Sequence, residues 1–328
     1  MRHRELGDVG PVTEIGLGTW NIGGDWGDVS DEAGREAVRA ALDAGVDFLD
    51  TADVYGDGRS ERHVGHVLDE RGAHDEVTVA TKAGRRLDPH TADGYTAENL
   101  ERFVDRSREN LGEDTLDLLQ LHCPPTDVYY EPDVFDALAG LRAHGKVANY
   151  GVSVERVEEG LKAIEYSGVE TVQIIFNPFR QRPAELFFEE AARRDVGVIV
   201  RVPLASGLLT GTIDRDTEFP ANDHRNFNRH GEAFDVGETF AGVPLDAGVD
   251  AVEALEPHVP EAMTLPQFTL RWILDFDAVS TVIPGSTSPA HIETNVAAAD
   301  LDPLPHRLHG VVRDVYEEHV AEHVHDRW

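Results

Sequence analysis

Lysine occurs at only three positions, Lys82, Lys146 and Lys162, and the first of them ends an apolar run, Val77–Lys82. An amine at the end of a buried strand is costly unless it is paired. Asp50, at the end of the neighbouring run Val46–Asp50, is the natural counter-charge. Tyr55 follows five residues later, and the run Leu116–His122 closes on an imidazole. Taken singly, a Tyr packs, an Asp caps a helix and a His is a satisfied polar residue. Taken together, the four make a coherent chemistry. A phenol ionises near pH 10 and is a poor acid at neutral pH unless its anion is stabilised. A neighbouring ammonium does that, and a carboxylate holds the ammonium. An imidazole nearby orients a substrate oxygen or shares its proton. Such a phenol protonates a carbonyl oxygen as hydride reaches the carbon, or removes the alcohol proton in reverse. None of the four side chains carries hydride, so the chemistry calls for a nicotinamide cofactor. Ser153 and Gln173, on two further runs, bring the convergent polar groups to six.

The elements that must position them are short β-branched runs: Ile15–Gly18, Val46–Asp50, Val77–Lys82, Leu116–His122, Ala148–Ser153, Thr171–Phe176, Val196–Val202 and Val279–Ile283. Helical patterns with polar faces lie between them. Ser30-Asp31 caps the first, Ser60-Glu61 opens the second, and Thr96 with Asn99 opens the third. Pro132, Pro183 and Pro289 suit the first turns of later ones. Eight strands, each followed by a helix, predict a (β/α)8 TIM barrel spanning residues 1–328 as one domain. Three extensions account for the rest: an N-terminal hairpin over Met1–Thr13, a long segment Leu208–Gly248 after the seventh strand, and a helical tail Leu304–Trp328. The rival doubly wound fold needs G-x-G-x-x-G after its first strand. Gly16-x-Gly18 is present, but Asn21 stands in the third glycine's place.

Composition narrows the partners. The 328 residues carry 62 Asp+Glu against 29 Lys+Arg, a formal charge of −33, while 41% of the chain is apolar. A core is affordable and global disorder is excluded. So acidic a surface repels nucleic acid and anionic membranes, leaving a small molecule as the partner. Acid excess with few lysines suggests a protein built for concentrated salt, where screening removes self-repulsion. One cysteine, Cys123, excludes an intramolecular disulfide. With no apolar leader or spanning segment, the expectation is a cytoplasmic protein, monomeric or homo-oligomeric.

The residues also carry a resemblance. Leu6-Gly7, Gly16-Leu-Gly-Thr-Trp20, Asp50-x4-Tyr55-Gly56 with Ser60-Glu61, Ala80-Thr-Lys82, Leu118–His122 and Tyr150-Gly-Val-Ser153 occur in that order. Pro203-Leu-Ala-Ser-Gly-Leu-Leu-Thr-Gly211 and Ile283-Pro-Gly285 through Asn295 follow. In this ordered set the chain resembles the aldo-keto reductase superfamily over essentially its whole length. The resemblance implies reduction of aldehydes or ketones, or oxidation of the alcohols, with NADP(H) or NAD(H). It makes Tyr55 the general acid/base, Lys82 and Asp50 its tuning pair and His122 the substrate-orienting partner, with Trp20 beside the substrate. It places Gly18, Thr19, Trp20, Asp50, Ser153, Gln173 and Arg201 along the nicotinamide half of the cofactor. Pro203, Leu204, Ala205, Gly207, Leu209 and Gly211 would run over the pyrophosphate. Ile283, Pro284, Gly285, Ser286, Thr287, His291 and Asn295 would meet the adenosine. Two other readings of the resemblance are a sugar 1-dehydrogenase working oxidatively, and a non-catalytic regulator like the β subunits of potassium channels.

Several positions depart from the commoner pattern. Val154 follows Ser153 where an Asn is usual, and Thr212 follows the Leu-Thr-Gly where a Lys is common. Arg201 stands where an aromatic residue usually stacks on the nicotinamide; its planar guanidinium can stack, but its charge disfavours the oxidised ring. Ser286–His291 offers no permanent cation for a 2′-phosphate, against a family habit of NADPH, which leaves the two cofactors evenly placed. No metal is expected. His319-Val-Ala-Glu322-His323 matches a zinc-peptidase spacing that puts two His on one helix face, but in a solvated tail it reads as coincidence. Cys123 beside His122 reads as packing at the barrel rim.

Overall fold

The computed structural model describes residues 1–328. An antiparallel hairpin of β1 (His3–Glu5) and β2 (Pro11–Thr13) comes first. Eight parallel strands follow: β3 (Leu17–Gly18), β4 (Phe48–Asp50), β5 (Thr78–Ala83), β6 (Leu116–His122), β7 (Val147–Ser153), β8 (Val169–Ile175), β9 (Gly197–Arg201) and β10 (Val279–Val282). They pair in sequence order. The ring closes between its ends, where Gly16 N donates to Val282 O at 2.9 Å and Gly18 N to Pro284 O at 3.2 Å. The eight expected strands are therefore present as a TIM barrel, with ends displaced by up to two residues. The first shrinks to two residues because Ile15 contributes only an isolated bridge to Val282.

The helices cover the barrel with one apolar face each. Helix Asp31–Asp43 buries Gly34, Ala37, Val38 and Ala41, a 3–4 spacing, and the Ser30 hydroxyl accepts from Ala33 N. Helix Ala97–Leu111 is capped by Thr96 as expected, buries Leu100, Phe103, Val104, Ser107 and Leu111, and ends on left-handed Gly112. Pro132 and Pro289 stand at the first turns of helices Pro132–Ala143 and Pro289–Val296.

Two expected helix starts are corrected. Helix Arg59–Arg71 begins one residue before Ser60, after left-handed Gly58. The Ser60 hydroxyl does not cap it. It donates toward Thr19 O and Oγ1, at 3.1 and 2.7 Å, tying this helix to the exit of β3. Pro183 lies in a separate 3-10 turn, Arg182–Ala184, and its helix starts only at Phe187.

Parallel pairing places all eight C-terminal strand ends on one face. The opposite mouth is stoppered by apolar contact: Leu6 and Val12 of the hairpin cluster with Phe48, Ala80, Leu118, Ile199 and Ile283. Residues 208–248 are ordered as short pieces, including helix His224–Phe227 and the turns Val236–Glu238 and Phe240–Gly242. The tail forms helix His306–His319 and a separate turn Ala321–Val324. Because the helix stops at His319, the two histidines of the declined zinc spacing do not share one helical face. No helix is long and apolar enough to cross a membrane.

Candidate active site

Register brings the polar strand ends together. Asp50 pairs with Gly18 on one side and Ala80 on the other, Lys82 with Gln120, His122 with Ser153, and Ser153 with Gln173. Lys82 is fully buried and Asp50 is 2% exposed. Lys82 Nζ donates to Asp50 Oδ1 at 2.5 Å, to Thr51 O at 2.8 Å and to Tyr55 OH at 3.4 Å. The other Asp50 oxygen accepts from Gln173 Nε2 at 2.7 Å and Gln120 Nε2 at 3.2 Å. Both carboxylate oxygens are thereby satisfied, the condition for keeping a buried ion pair. Burial opposes the ammonium, but the Asp50 charge and the phenol outweigh it and hold the Lys82 pKa above its usual value.

Tyr55 reaches this pair because the backbone beneath it has no side chains. A Cβ on Gly23 would stand 2.7 Å from Tyr55 Cβ, and one on left-handed Gly56 would stand 2.2 Å from Gly23 O. Lys82 does pull the phenol's pKa down, as expected, but it is not the larger influence. Burial is the larger effect and leaves Tyr55 above its ordinary value; the ammonium pulls the other way without winning. In this state the phenol is protonated, an acid whose anion is stabilised once formed.

His122 stands edge-on to Tyr55, with ring centroids 5.7 Å apart. Burial first, then the charges of Arg85, Lys82 and Arg201, push its pKa well below the usual imidazole value. It is neutral, and its Nδ1 is buried without a partner.

Two clefts meet at Tyr55. One, of about 940 Å³, is lined by Gly18, Thr19, Trp20, Asp50, Tyr55, His122, Ser153, Gln173, Arg201, Pro203, Leu204, Gly207, Ile283, Pro284 and Gly285, all expected from the sequence. Of the remaining expected residues, Ala205 and Leu209 are packed into the core, and Gly211 lies outside the lining. Ser286, Thr287, His291 and Asn295 continue from Gly285 beyond the cleft. The Ser286 hydroxyl is taken up by Ser288 N at 3.0 Å. The second cleft, of about 1230 Å³, is lined by Trp20, Asp25, Tyr55, Arg85, His90, Glu155, Phe234 and Asp235 among others. Trp20, Tyr55 and Arg85 belong to both clefts.

Among the lining residues, Arg85, Glu155 and Glu238 were not singled out beforehand. Arg85 donates to Glu155 at 3.3 Å and to Glu238 at 3.2 Å, and Glu238 also pairs with Arg201. His224 lies 4.6 Å from Trp20 and 4.5 Å from Trp26, ring to ring, with Phe234 beyond. Burial pushes its pKa down to about 4, so the imidazole is neutral at neutral pH. Ser206 and Thr210 line the first cleft, and Arg225 comes within 3.4 Å of Ser206 O. Glu238 and His224 sit in the long 208–248 segment, which carries no local pattern to mark them. Arg85, three residues past Lys82 on the strand β5 exit, follows the same rule that identified Lys82 and could have been found.

The arrangement is a protonated phenol beside a paired ammonium and a neutral imidazole, at the join of two clefts on the C-terminal face of a barrel. Known proteins share the whole scaffold. The Aldo/keto reductase family model matches residues 14–317. Aldo-keto reductase YhdN of Bacillus subtilis is 29% identical over 300 residues, 89% of this chain and 87% of that one. The NADH-specific methylglyoxal reductase of Escherichia coli is 27% identical over 311 residues, covering 89% and 91%. Among solved structures, the glycerol dehydrogenase of Gluconobacter oxydans superposes with a TM-score of 0.75 at 28% identity, covering 97% of this chain and 96% of that one. With a family match that runs from the barrel's first strand into its last helix, the chain belongs to the aldo/keto reductase family, whose members are NAD(P)-dependent oxidoreductases.

Proposed function

We propose that the protein interconverts a small carbonyl compound and its alcohol, with Tyr55 as general acid/base and NADP(H) or NAD(H) as the redox partner. The observation that carries this reading is Tyr55 OH at 3.4 Å from Lys82 Nζ, where the two clefts join. The first cleft suits a dinucleotide. Its lining offers neutral hydrogen-bonding groups in Ser153 and Gln173. The Gln173 amide nitrogen is committed to Asp50, which leaves its oxygen to accept from a carboxamide. The Ser153 hydroxyl has only the Cys123 thiol, at 3.5 Å, as a side-chain neighbour. Such a cofactor supplies hydride, or takes it up, at the nicotinamide ring.

The chain's own residues handle the proton. A carbonyl oxygen entering from the second cleft meets two polar groups, the Tyr55 hydroxyl and the imidazole of neutral His122. Tyr55 gives its proton to the developing alkoxide, and the phenolate that remains is stabilised by Lys82. Asp50, fixed by two glutamine amides, keeps the ammonium aimed. In the oxidative direction the phenolate takes the alcohol proton. Aromatic Trp20 and Phe234 with carboxylates Asp25, Glu155 and Asp235 around the second cleft favour a neutral, hydroxyl-bearing substrate over an anionic one. This also keeps open oxidation of a polyol or sugar, the reaction type in the name of the glycerol dehydrogenase relative. The residues beyond Gly285 hold no permanent cation, so NADP(H) and NAD(H) remain equal alternatives. The working environment in this reading is the cytoplasm, in concentrated salt.

Tyr55→Phe tests the assignment. Turnover in both directions should fall at least a thousandfold while dinucleotide binding stays within a few-fold of wild type. Wild-type rates in the variant would remove the phenol from the mechanism. Absence of turnover in the wild-type chain, with cofactor bound, would point instead to the regulatory reading.

A further inference from the structure

Arg201 raises a problem that the proposed function does not solve. Its guanidinium ends β9 in the wall of the first cleft, among Tyr55, His122, Ser153 and Gln173, and the residue is 7% exposed. An isolated buried cation there would hinder a nicotinamide ring that is itself positive when oxidised. The side chain is held hard in place. One terminal nitrogen pairs with Glu238, the other donates to Val154 O at 2.9 Å, and Nε is left without a partner.

Glu238 is 6% exposed and belongs to the turn Val236–Glu238 of the long segment, 37 residues along the chain from Arg201. Its second oxygen accepts from Arg85. Its carbonyl accepts from the Ser206 hydroxyl at 3.0 Å, and that hydroxyl in turn accepts from Phe240 N at 3.2 Å. Ser206 is itself part of the first cleft's lining, so the loop after β9 and the turn bearing Glu238 are locked together. Burial alone would raise the Glu238 pKa, but Arg201 and Arg85 override it and keep the carboxyl ionised. The only other carboxylate on Arg85 is Glu155, pushed up to about 7 by burial and therefore a part-time counter-charge at neutral pH.

We infer that Glu238 is a positioning residue that sets the charge of the cofactor platform: by neutralising Arg201 it lets the oxidised dinucleotide bind nearly as well as the reduced one, which a bare guanidinium at that place would not. The inference rests on the proposed function, because it takes Arg201 to lie against the nicotinamide. The long segment then contributes to reversibility, and not only to substrate shape.

The test is a ratio of affinities. Intrinsic tryptophan fluorescence, with Trp20 in the first cleft, reports binding of NAD+, NADH, NADP+ and NADPH to the wild type, Glu238→Gln, Glu238→Asp and Arg201→Leu. Glu238→Gln should raise the Kd of the oxidised form relative to the reduced form by about tenfold, or 1.4 kcal/mol. Glu238→Asp, which keeps the charge, should stay within about threefold of the wild-type ratio. Arg201→Leu should shift the ratio the other way, toward the oxidised form, because the cation is gone. Equal weakening of both forms in Glu238→Gln would make the residue a structural clamp and overturn the inference. So would an unchanged ratio in Arg201→Leu, a variant that removes the cation and leaves the turn held by Arg85 and Ser206. A wild type that binds no dinucleotide at all would overturn the underlying functional reading, and that result is distinct from either.

Discussion

Lys82 and Asp50 serve two ends, burial of the ion pair and activation of the phenol, and a double-mutant cycle separates them. Their side chains are 1% and 3% exposed, with Nζ and Oδ1 2.5 Å apart. Removing one partner leaves the other charge buried, a loss of about 3–5 kcal/mol. Lys82→Met strands the Asp50 carboxylate on two glutamine amides. Asp50→Asn strands the ammonium on Thr51 O. The double variant buries no charge, and Asn keeps an oxygen for the Gln173 amide, so it should recover most of the stability, with a coupling of at least about 4 kcal/mol, the two single losses less a small residue. Catalysis should not recover. At the Nζ–OH separation of 3.4 Å, an effective dielectric of about 20 gives the ammonium and a phenolate an attraction near 5 kcal/mol. Asp50 cancels part of it, leaving roughly 3 kcal/mol, or about a hundredfold in rate. Urea denaturation gives the four stabilities, and kcat/KM with a carbonyl substrate gives the four activities. A double variant with wild-type turnover would refute the idea that this pair tunes the phenol, and a coupling under about 0.5 kcal/mol would refute the buried ion pair.

Two further outcomes are expected. With a formal charge of −33, the melting temperature should climb steadily between 0.1 and 2 M KCl; a flat profile would reject adaptation to salt. Asp53 is buried with neither carboxylate oxygen hydrogen-bonded, and burial, reinforced by Glu61, pushes its pKa up to about 8. Its folded-state pKa lies above the unfolded one, so its contribution to stability is intact below about pH 4 and declines up to pH 8. Asp53→Asn should therefore be more stable than the wild type at pH 8, by about 1–3 kcal/mol, with the gap closing at pH 4; an equal difference at both pH values would contradict a protonated native carboxyl.

What the sequence made legible follows from where the information is local. A strand that is largely apolar until its end announces the polar group at its exit, and in a parallel barrel every exit shares a face, so Asp50, Lys82, His122 and Ser153 could be assembled before any coordinate was known, with Gln173 two residues short of the end of its strand. The capping rule misjudged Ser60, because Ser-Glu ahead of an apolar run is a capping signature, while the position of the first helical residue depends on left-handed Gly58 and on a contact with Thr19, 41 residues away. The balance at Tyr55 was half legible, since a nearby ammonium is visible in sequence but the depth of burial that outweighs it is not. Arg201 shows the limit most clearly. As a lone cation in the cofactor wall it looked like a defect, and nothing in the neighbourhood of Val202-Pro203 relieves it. Its counter-charge comes from Glu238, inside a segment with no periodic pattern that is tied to the loop after β9 through Ser206 and held by Arg85. A substitution at a site otherwise typical of its family is therefore best judged by asking which distant insertion has come to meet it.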